Sequence, residues 1–193
     1  MKLKIKLLVF SALFSLTACC TTFVDNNIHQ QIEKNTNEIF ETLVKLRRDI
    51  HQHPELAGNE KRTSQVISKY LLNLGLEVKT DVAGYGVVGI LKGGKEGKHI
   101  AWRADMDAIP SNFNDDVAYK STIKGVQHGC GHDVHIAIGL GIAEVLSKNK
   151  ESIKGTIYFI FQAEEETFVG AKNIINSHFY SKANMDEIYA LHV

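Results

Sequence analysis

The chain has 193 residues, the length of one domain, and its 44% apolar and 23% charged residues exclude wholesale disorder. Its 22 basic and 22 acidic side chains cancel, which removes the electrostatic case for a nucleic-acid partner, and none is expected.

Residues 1–18 read as a targeting segment, to be set apart from the fold. Lys2, Lys4 and Lys6 form a basic start, and Leu7 to Leu16 form a short apolar run. That run is well under the roughly 20 residues that span a bilayer, which argues against a transmembrane helix. Leu16-Thr17-Ala18-Cys19 resembles a bacterial lipobox, where cleavage before a cysteine accompanies its lipidation. The expectation is a signal peptide over 1–18, a lipidated Cys19 and a polar tether over 19–30. The protein would then be a lipoprotein of the cell envelope, held by its lipid anchor on the periplasmic or another extracytoplasmic face. Cys20 has no evident role there. Cys130 stands alone in the body of the chain, so a disulfide framework is excluded, and a metal would account for the isolated thiol.

Beyond the tether, Ile32, Ile39, Leu43, Leu46 and Ile50 recur at helical spacing and predict a helix over 32–50. A second helix is predicted over 59–74, with Gly75 as its stop. Val87–Leu91 and Ile100–Trp102 read as strands, separated by a hairpin-like turn over 93–98. Residues 106–128 form a long loop. Ile136–Leu146 then reads as a buried helix, Thr156–Phe161 as a buried strand, Ala171–Ser177 as a helix and Ile188–Leu191 as a last strand. This alternation predicts an α/β fold with a parallel or mixed sheet.

Four segments carry chemistry, each placed after a strand or at a helix start. They are Asp105 with Asp107; His128, Cys130, His132, Asp133 and His135; Glu164, Glu165 and Glu166; and His192. In open α/β sheets, ligands bind beyond the carboxyl ends of the strands, so these groups can meet in one crevice. Thiolate, imidazole and carboxylate together suit zinc or a similar divalent ion. A helix starting just after Cys130 is expected to lower its thiol pKa. Each signal also has a plainer reading. Three glutamates can be a solvated face, Asp-x-Asp can be turn chemistry, and His51 and His53 before Pro54 read as structural rather than ligating. Joint placement is what points to a metal.

The stretches Arg47–Leu56 with Glu60 and Thr63, Arg103–Pro110, His128–His135, Phe161–Glu166 with Gly170-Ala171, and Leu191–Val193 follow one another in order. Together they resemble the five motifs of the amidohydrolase branch of the aminoacylase and carboxypeptidase metallopeptidase family, which includes hippurate hydrolase and the indole-acetyl-amino-acid hydrolases. The resemblance implies a partial zinc-peptidase-like catalytic domain over 31–193, with a mixed, largely parallel sheet flanked by helices. It makes Cys130, His132, Glu166 and His192 metal ligands and Glu165 the general base that activates water. Asp107 takes the place of an aspartate that orients a ligand in sister branches, and Asp105 that of their ligand histidine. Both are expected to act from behind the ligands.

The implied reaction is hydrolysis of the amide bond of an N-acyl amino acid or peptide. Full-length members use two divalent ions, zinc, manganese or similar, and the ligands of this chain suffice for one. Ala163-Glu164 departs from the Pro-Ala usual in the fourth motif, and Thr167-Phe168-Val169 replaces a glycine-rich stretch. The family's lid or dimerisation domain and its last histidine ligand have no counterpart before Val193. The chain therefore reads as truncated, either a poor catalyst on its own or one part of a split enzyme. It would pair with itself or with a complementing C-terminal half. The alternative is an inactive, lipid-anchored metal-binding remnant.

Overall fold

The structure is a computed structural model and describes residues 26–193. The expected signal peptide, Cys19 and the first part of the tether lie outside the described residues. Asn26–Gln52 contains no glycine or proline and forms one 27-residue helix, α1. It starts inside the stretch read as tether, so residues 26–30 are its first turns. It ends just before Pro54, which disfavours helical backbone in the residue preceding it. No helix among the described residues is long and apolar enough to cross a membrane.

The second helix, α2 (Lys61–Asn73), is held at both ends by identifiable groups. Glu55 accepts hydrogen bonds from the Arg62 and Thr63 backbone N–H groups at 3.0 and 2.8 Å, satisfying two donors of its first turn. At the far end, Gly75 takes the left-handed φ of +76° that L side chains resist. Its N–H donates to the Leu72 carbonyl at 2.9 Å, while the Leu76 N–H donates to the Leu71 carbonyl at 3.3 Å. This is the paired closure of a Schellman end, with Leu71 and Leu76 packed in one core cluster. The predicted stop at Gly75 is where the helix ends.

The strands follow as β1 (Glu77–Lys79), β2 (Val87–Lys92) and β3 (Lys95–Asp105), then the short β4 (Ile109–Pro110) and β5 (Val126–Gln127). Helix α3 (His132–Ser147), strand β6 (Lys154–Gln162), helices α4 (Gly170–Ile175) and α5 (His178–Ala183), and strand β7 (Glu187–Ala190) complete the chain. The main sheet runs β1-β2-β6-β3-β7. The hairpin-like turn at 93–98 does not make β2 and β3 partners. Strand β6 lies between them, antiparallel to β2 and parallel to β3. Buried on both faces, β6 can satisfy its backbone only between two neighbours, and this long-range pairing overrides the local glycine-rich turn.

The expected α/β fold with a mixed sheet is present, its parallel pairings being those of β3 with β6 and with β7. Helices cover both faces. Ile67, Leu71, Ile136 and Leu140 of α2 and α3 pack with Phe159 and Phe161 on one side. Ile174 and Ala183 of α4 and α5 pack with Val88, Ala101 and Ile160 on the other. Helix α1 lies outside α3. Parallel pairing brings Asp105 level with Gln162, so the chain leaves β3, β6 and β7 at the same rim of the sheet.

Glu55 accepts from two backbone donors in the first turn of α2, so Glu55→Ala should cost about 1–2 kcal/mol of stability. Urea unfolding is expected to show a lower midpoint with an unchanged slope, since the cap is local.

Candidate metal centre

The rim collects side chains from three sources: the end of β3, the turn after β6 and the start of α3. Gly131 precedes α3 with φ of +76°, and a Cβ there would lie 2.9 Å from Val193 Cγ2. Glycine is required both for the turn and for the close approach of the segment after β7. Ligand atoms of Cys130, His132 and Glu166 consequently lie within 4.8 Å of one another.

His132, almost wholly buried, sets the geometry. Its Nδ1 donates to the Asp107 carbonyl at 2.8 Å, which leaves the Nε2 lone pair free. That nitrogen faces Asp105 Oδ2 at 3.6 Å, Glu166 Oε1 at 3.7 Å and Glu165 Oε2 at 3.8 Å. These gaps are too long for hydrogen bonds. Two ligands of one zinc-sized ion stand roughly 3.4 Å apart, so the gaps are close to those that a shared cation needs. Glu166 Oε1 is moreover a buried oxygen with no hydrogen-bond partner, as is Asp107 Oδ1. The residues present fit a divalent ion.

Asp107 and Asp105 stand behind this group. Asp107 Oδ2 accepts the Glu166 backbone N–H at 2.8 Å. Burial alone would raise the Asp107 carboxyl, but the His132 side chain and the Glu166 amide outweigh it and hold the group below its ordinary value. Asp105 is held by Arg103 Nη1 at 2.7 Å on one oxygen and by His135 Nδ1 at 2.5 Å on the other. His132 is raised: burial pushes it down, yet Asp107 and Asp105 prevail.

Cys130 is a correction. The start of α3 was expected to lower its pKa, whereas the thiol is pushed up to about 11. Its hydrogen bond to Glu166 comes first, then burial, then repulsion from Glu166, Glu165 and Asp105. Three carboxylates around the thiol, with its hydrogen bond and burial, outweigh a helix terminus, whose influence is confined to its first turn. The same crowding of negative charge favours a cation.

His192 is brought near this group without joining it. Its exposed ring lies edge-on to His135, with centroids 5.4 Å apart, and it is outside the close set of Cys130, His132 and Glu166. His51 is structural, as read. Its Nδ1 and Nε2 lie 2.7 and 2.8 Å from Asp133 and Asp115, and Arg47 Nε reaches the fully buried Asp133 at 2.7 Å. His53 Nδ1 likewise donates to the Asp49 carbonyl of α1 at 2.8 Å. His128 is buried with both ring nitrogens unpartnered, and burial lowers its pKa to about 4. Sequence reasoning assigned no role to His135 or to the Arg47–Asp133 pair. Their signals, a histidine one helical turn beyond His132 and an arginine one turn before His51, gain meaning only from long-range packing.

Residues 101–193 match the profile of Peptidase family M20/M25/M40. This region is therefore similar to part of an M20 peptidase domain. The chain is 41% identical over 167 residues to thermostable carboxypeptidase 1 of Saccharolobus solfataricus, covering 85% of this chain and 42% of that protein. It is 36% identical over 194 residues to IAA-amino acid hydrolase ILR1-like 5 of Arabidopsis thaliana, covering 97% and 44%. The structure is similar to that of the YXEP protein of Bacillus subtilis, described as a dinuclear metal-binding peptidase from the M20 family. Its TM-score is 0.75 and its identity 32%, over 83% of this chain and 44% of that one. The chain thus spans less than half the length of these relatives. The matched region holds the candidate metal centre.

A thiol raised from 9.0 to about 11 is a slow nucleophile. In metal-free protein at pH 8, Cys130 should alkylate about 100-fold more slowly than an ordinary cysteine, since each pKa unit removes about tenfold of the thiolate. Peptide mass spectrometry after iodoacetamide treatment measures this. The rate should climb about tenfold per pH unit as far as pH 10.

Proposed function

We propose that this chain supplies the metal-binding part of an amidohydrolase that cleaves the amide bond of N-acyl amino acids or peptides. Cys130, His132, Glu166 and His192 are the assigned ligands, and Glu165 is the assigned general base. The observation that carries the reading is the facing of His132 Nε2 and the unpartnered Glu166 Oε1, with Cys130 alongside. The names of the carboxypeptidase and IAA-amino acid hydrolase relatives support the substrate class. A divalent ion held there, zinc, manganese or similar, supplies Lewis acidity to the scissile carbonyl and to water. A second ion would need ligands beyond these four.

The chain's own groups divide the remaining work. Glu166 and Cys130 present negative charge to the ion, and the Asp107 carbonyl aims His132 at it. Asp107 also fixes the Glu166 backbone through its carboxylate. Glu165 lies on the open side, a third exposed, with Oε2 3.8 Å from His132 Nε2. It can take a proton from attacking water and return it to the leaving amine. Its neighbour Glu164 is held elsewhere, its N–H donating to the buried Glu60 carboxylate at 2.8 Å.

We also propose, from the lipobox-like Leu16–Cys19, that the protein is exported and anchored in the envelope through Cys19. Cys19→Ala should abolish lipid labelling, and membrane association that survives this change sinks the reading.

For the site itself, Cys130→Ser should weaken zinc binding at least about tenfold, because a neutral hydroxyl is a poor substitute for thiolate. Glu165→Gln should keep the metal and reduce hydrolysis of acetyl- and benzoyl-amino acids by roughly 10²–10⁴. Glu166→Gln should lose metal affinity as well. Chelator competition and a hydrolysis panel with added zinc, manganese or cobalt read these outcomes. Equal metal loss in the two glutamate variants would show the roles to be misassigned. Metal binding without turnover would leave the ligand set standing and reduce the function to metal holding.

A further inference from the structure

Among the buried histidines, His135 has both ring nitrogens committed to protein partners. It is 3% exposed and sits one helical turn after His132, with the two rings stacked at 5.5 Å. Its Nδ1 lies 2.5 Å from Asp105 Oδ1, and its Nε2 lies 3.1 Å from the Val193 backbone nitrogen. A carboxylate can only accept and an amide N–H can only donate, so the ring hydrogen is on Nδ1 and Nε2 is the acceptor. Although Asp105, His132 and His135 cluster closely enough to hold an ion, this ring has no lone pair left to offer. It must therefore serve the site in some other way.

What the ring touches suggests how. Asp105 is anchored from behind by Arg103 at 2.7 Å, and Arg103 Nε donates to Gln162 at 3.0 Å, so the base of the chain of contacts is rigid sheet. The other end of the ring reaches the segment after β7. Ladder pairing of β7 with β3 stops at Ala190, leaving residues 191–193 without sheet partners. Leu191, His192 and Val193 are all exposed. The Val193 N–H to His135 Nε2 hydrogen bond is the polar tie that this segment makes to α3.

We propose that His135 is a positioning residue for the metal centre. It links the Asp105 carboxylate to the Val193 amide and so holds the intervening His192 beside the Cys130, His132 and Glu166 group. The inference rests on the reading of His192 as a ligand. It assigns His135 no contact with the ion.

Asparagine and glutamine separate the two ends of the ring. The amide of His135→Asn falls near the Nδ1 position, where it can donate to Asp105 but leaves the Val193 N–H unpaired. The amide oxygen of His135→Gln falls near the Nε2 position and can accept that N–H. Val193→Pro removes the donor itself and leaves His135 intact, which keeps the test alive if His135→Asn does not fold. The measurements, on the full chain, are amide exchange of Val193 by NMR without metal and zinc affinity by chelator competition.

In His135→Asn, Val193 exchange should accelerate roughly five- to tenfold, the worth of one ordinary hydrogen bond. Zinc affinity should fall about tenfold or more in His135→Asn and in Val193→Pro, as for loss of a group that orients a ligand. His135→Gln should stay within about threefold of the parent in both measurements. Unchanged exchange in His135→Asn, unchanged zinc affinity in Val193→Pro, or equal losses in the Asn and Gln variants would each overturn the proposal. A parent chain that binds no zinc would instead sink the ligand reading, while the exchange comparison still decides whether the tie exists.

Discussion

The hydrogen bond from His132 Nδ1 to the Asp107 carbonyl is the constraint on which the site depends. It joins the first residue of α3 to the segment leaving β3, and it decides which nitrogen faces the carboxylates. The other tautomer would set the Nδ1 lone pair against the Asp107 carbonyl, two acceptors facing each other in a buried place. Asp107 then extends the constraint to the turn after β6, because its carboxylate accepts the Glu166 amide. One residue thus sets an imidazole through its main chain and a glutamate through its side chain. Register supplies the rest, since the parallel pairing of Asp105 with Gln162 brings both segments to the same height.

This arrangement concentrates carboxylates where the protein has little water to screen them. The Cys130 thiol rises through its hydrogen bond to Glu166, then burial, then nearby carboxylates, and burial raises the Glu60 carboxyl. The fold offsets part of that strain with donors placed behind the cluster: Arg103 on Asp105, the Glu166 amide on Asp107, and the Glu164 amide on Glu60. None of these donors reaches Glu166 Oε1 or Asp107 Oδ1. A buried acceptor left unpaired costs about 1–3 kcal/mol, and Glu166 Oε1, facing the His132 Nε2 lone pair, makes sense where a cation completes the site. Binding such a cation is coupled to loss of the Cys130 proton, so affinity and acidity are linked in this centre.

What could be read from the residues was the part decided by local pattern. Helix α2 ended at Gly75 because a left-handed residue is needed there, and the buried α3 and β6 announced themselves as apolar runs of the right lengths. That Cys130, His132 and Glu166 come together was legible because they follow strand ends or open a helix, in order. Pairing partners were not legible. Strand β1 has three residues and no usable period, and the glycines at 93–94 look like a hairpin although β6 separates the flanking strands. The Cys130 field depends on Glu165, Glu166 and Asp105, which are remote in sequence, so a helix terminus alone misjudged its sign. His51 and Arg47 meet Asp133 across more than eighty residues, a contact that no motif spacing encodes.

The two sides of the rim are unequal in how firmly they are built. Cys130 and His132 sit at the head of a helix packed between α1 and the sheet, and Glu166 follows a strand paired on both edges. His192 follows an edge strand of four residues, whose Ile188 and Tyr189 are half exposed. Among the described residues, the segment after β7 is exposed, and the Val193 N–H ties it to His135 Nε2. In the proposed ligand set, three residues are placed by the core and His192 stands on this exposed segment. Val193 packs against Gly131, whose missing Cβ is what leaves room for it. The glycine before α3 and the histidine one turn into it act on the same segment from two sides, one by making space and the other by supplying an acceptor.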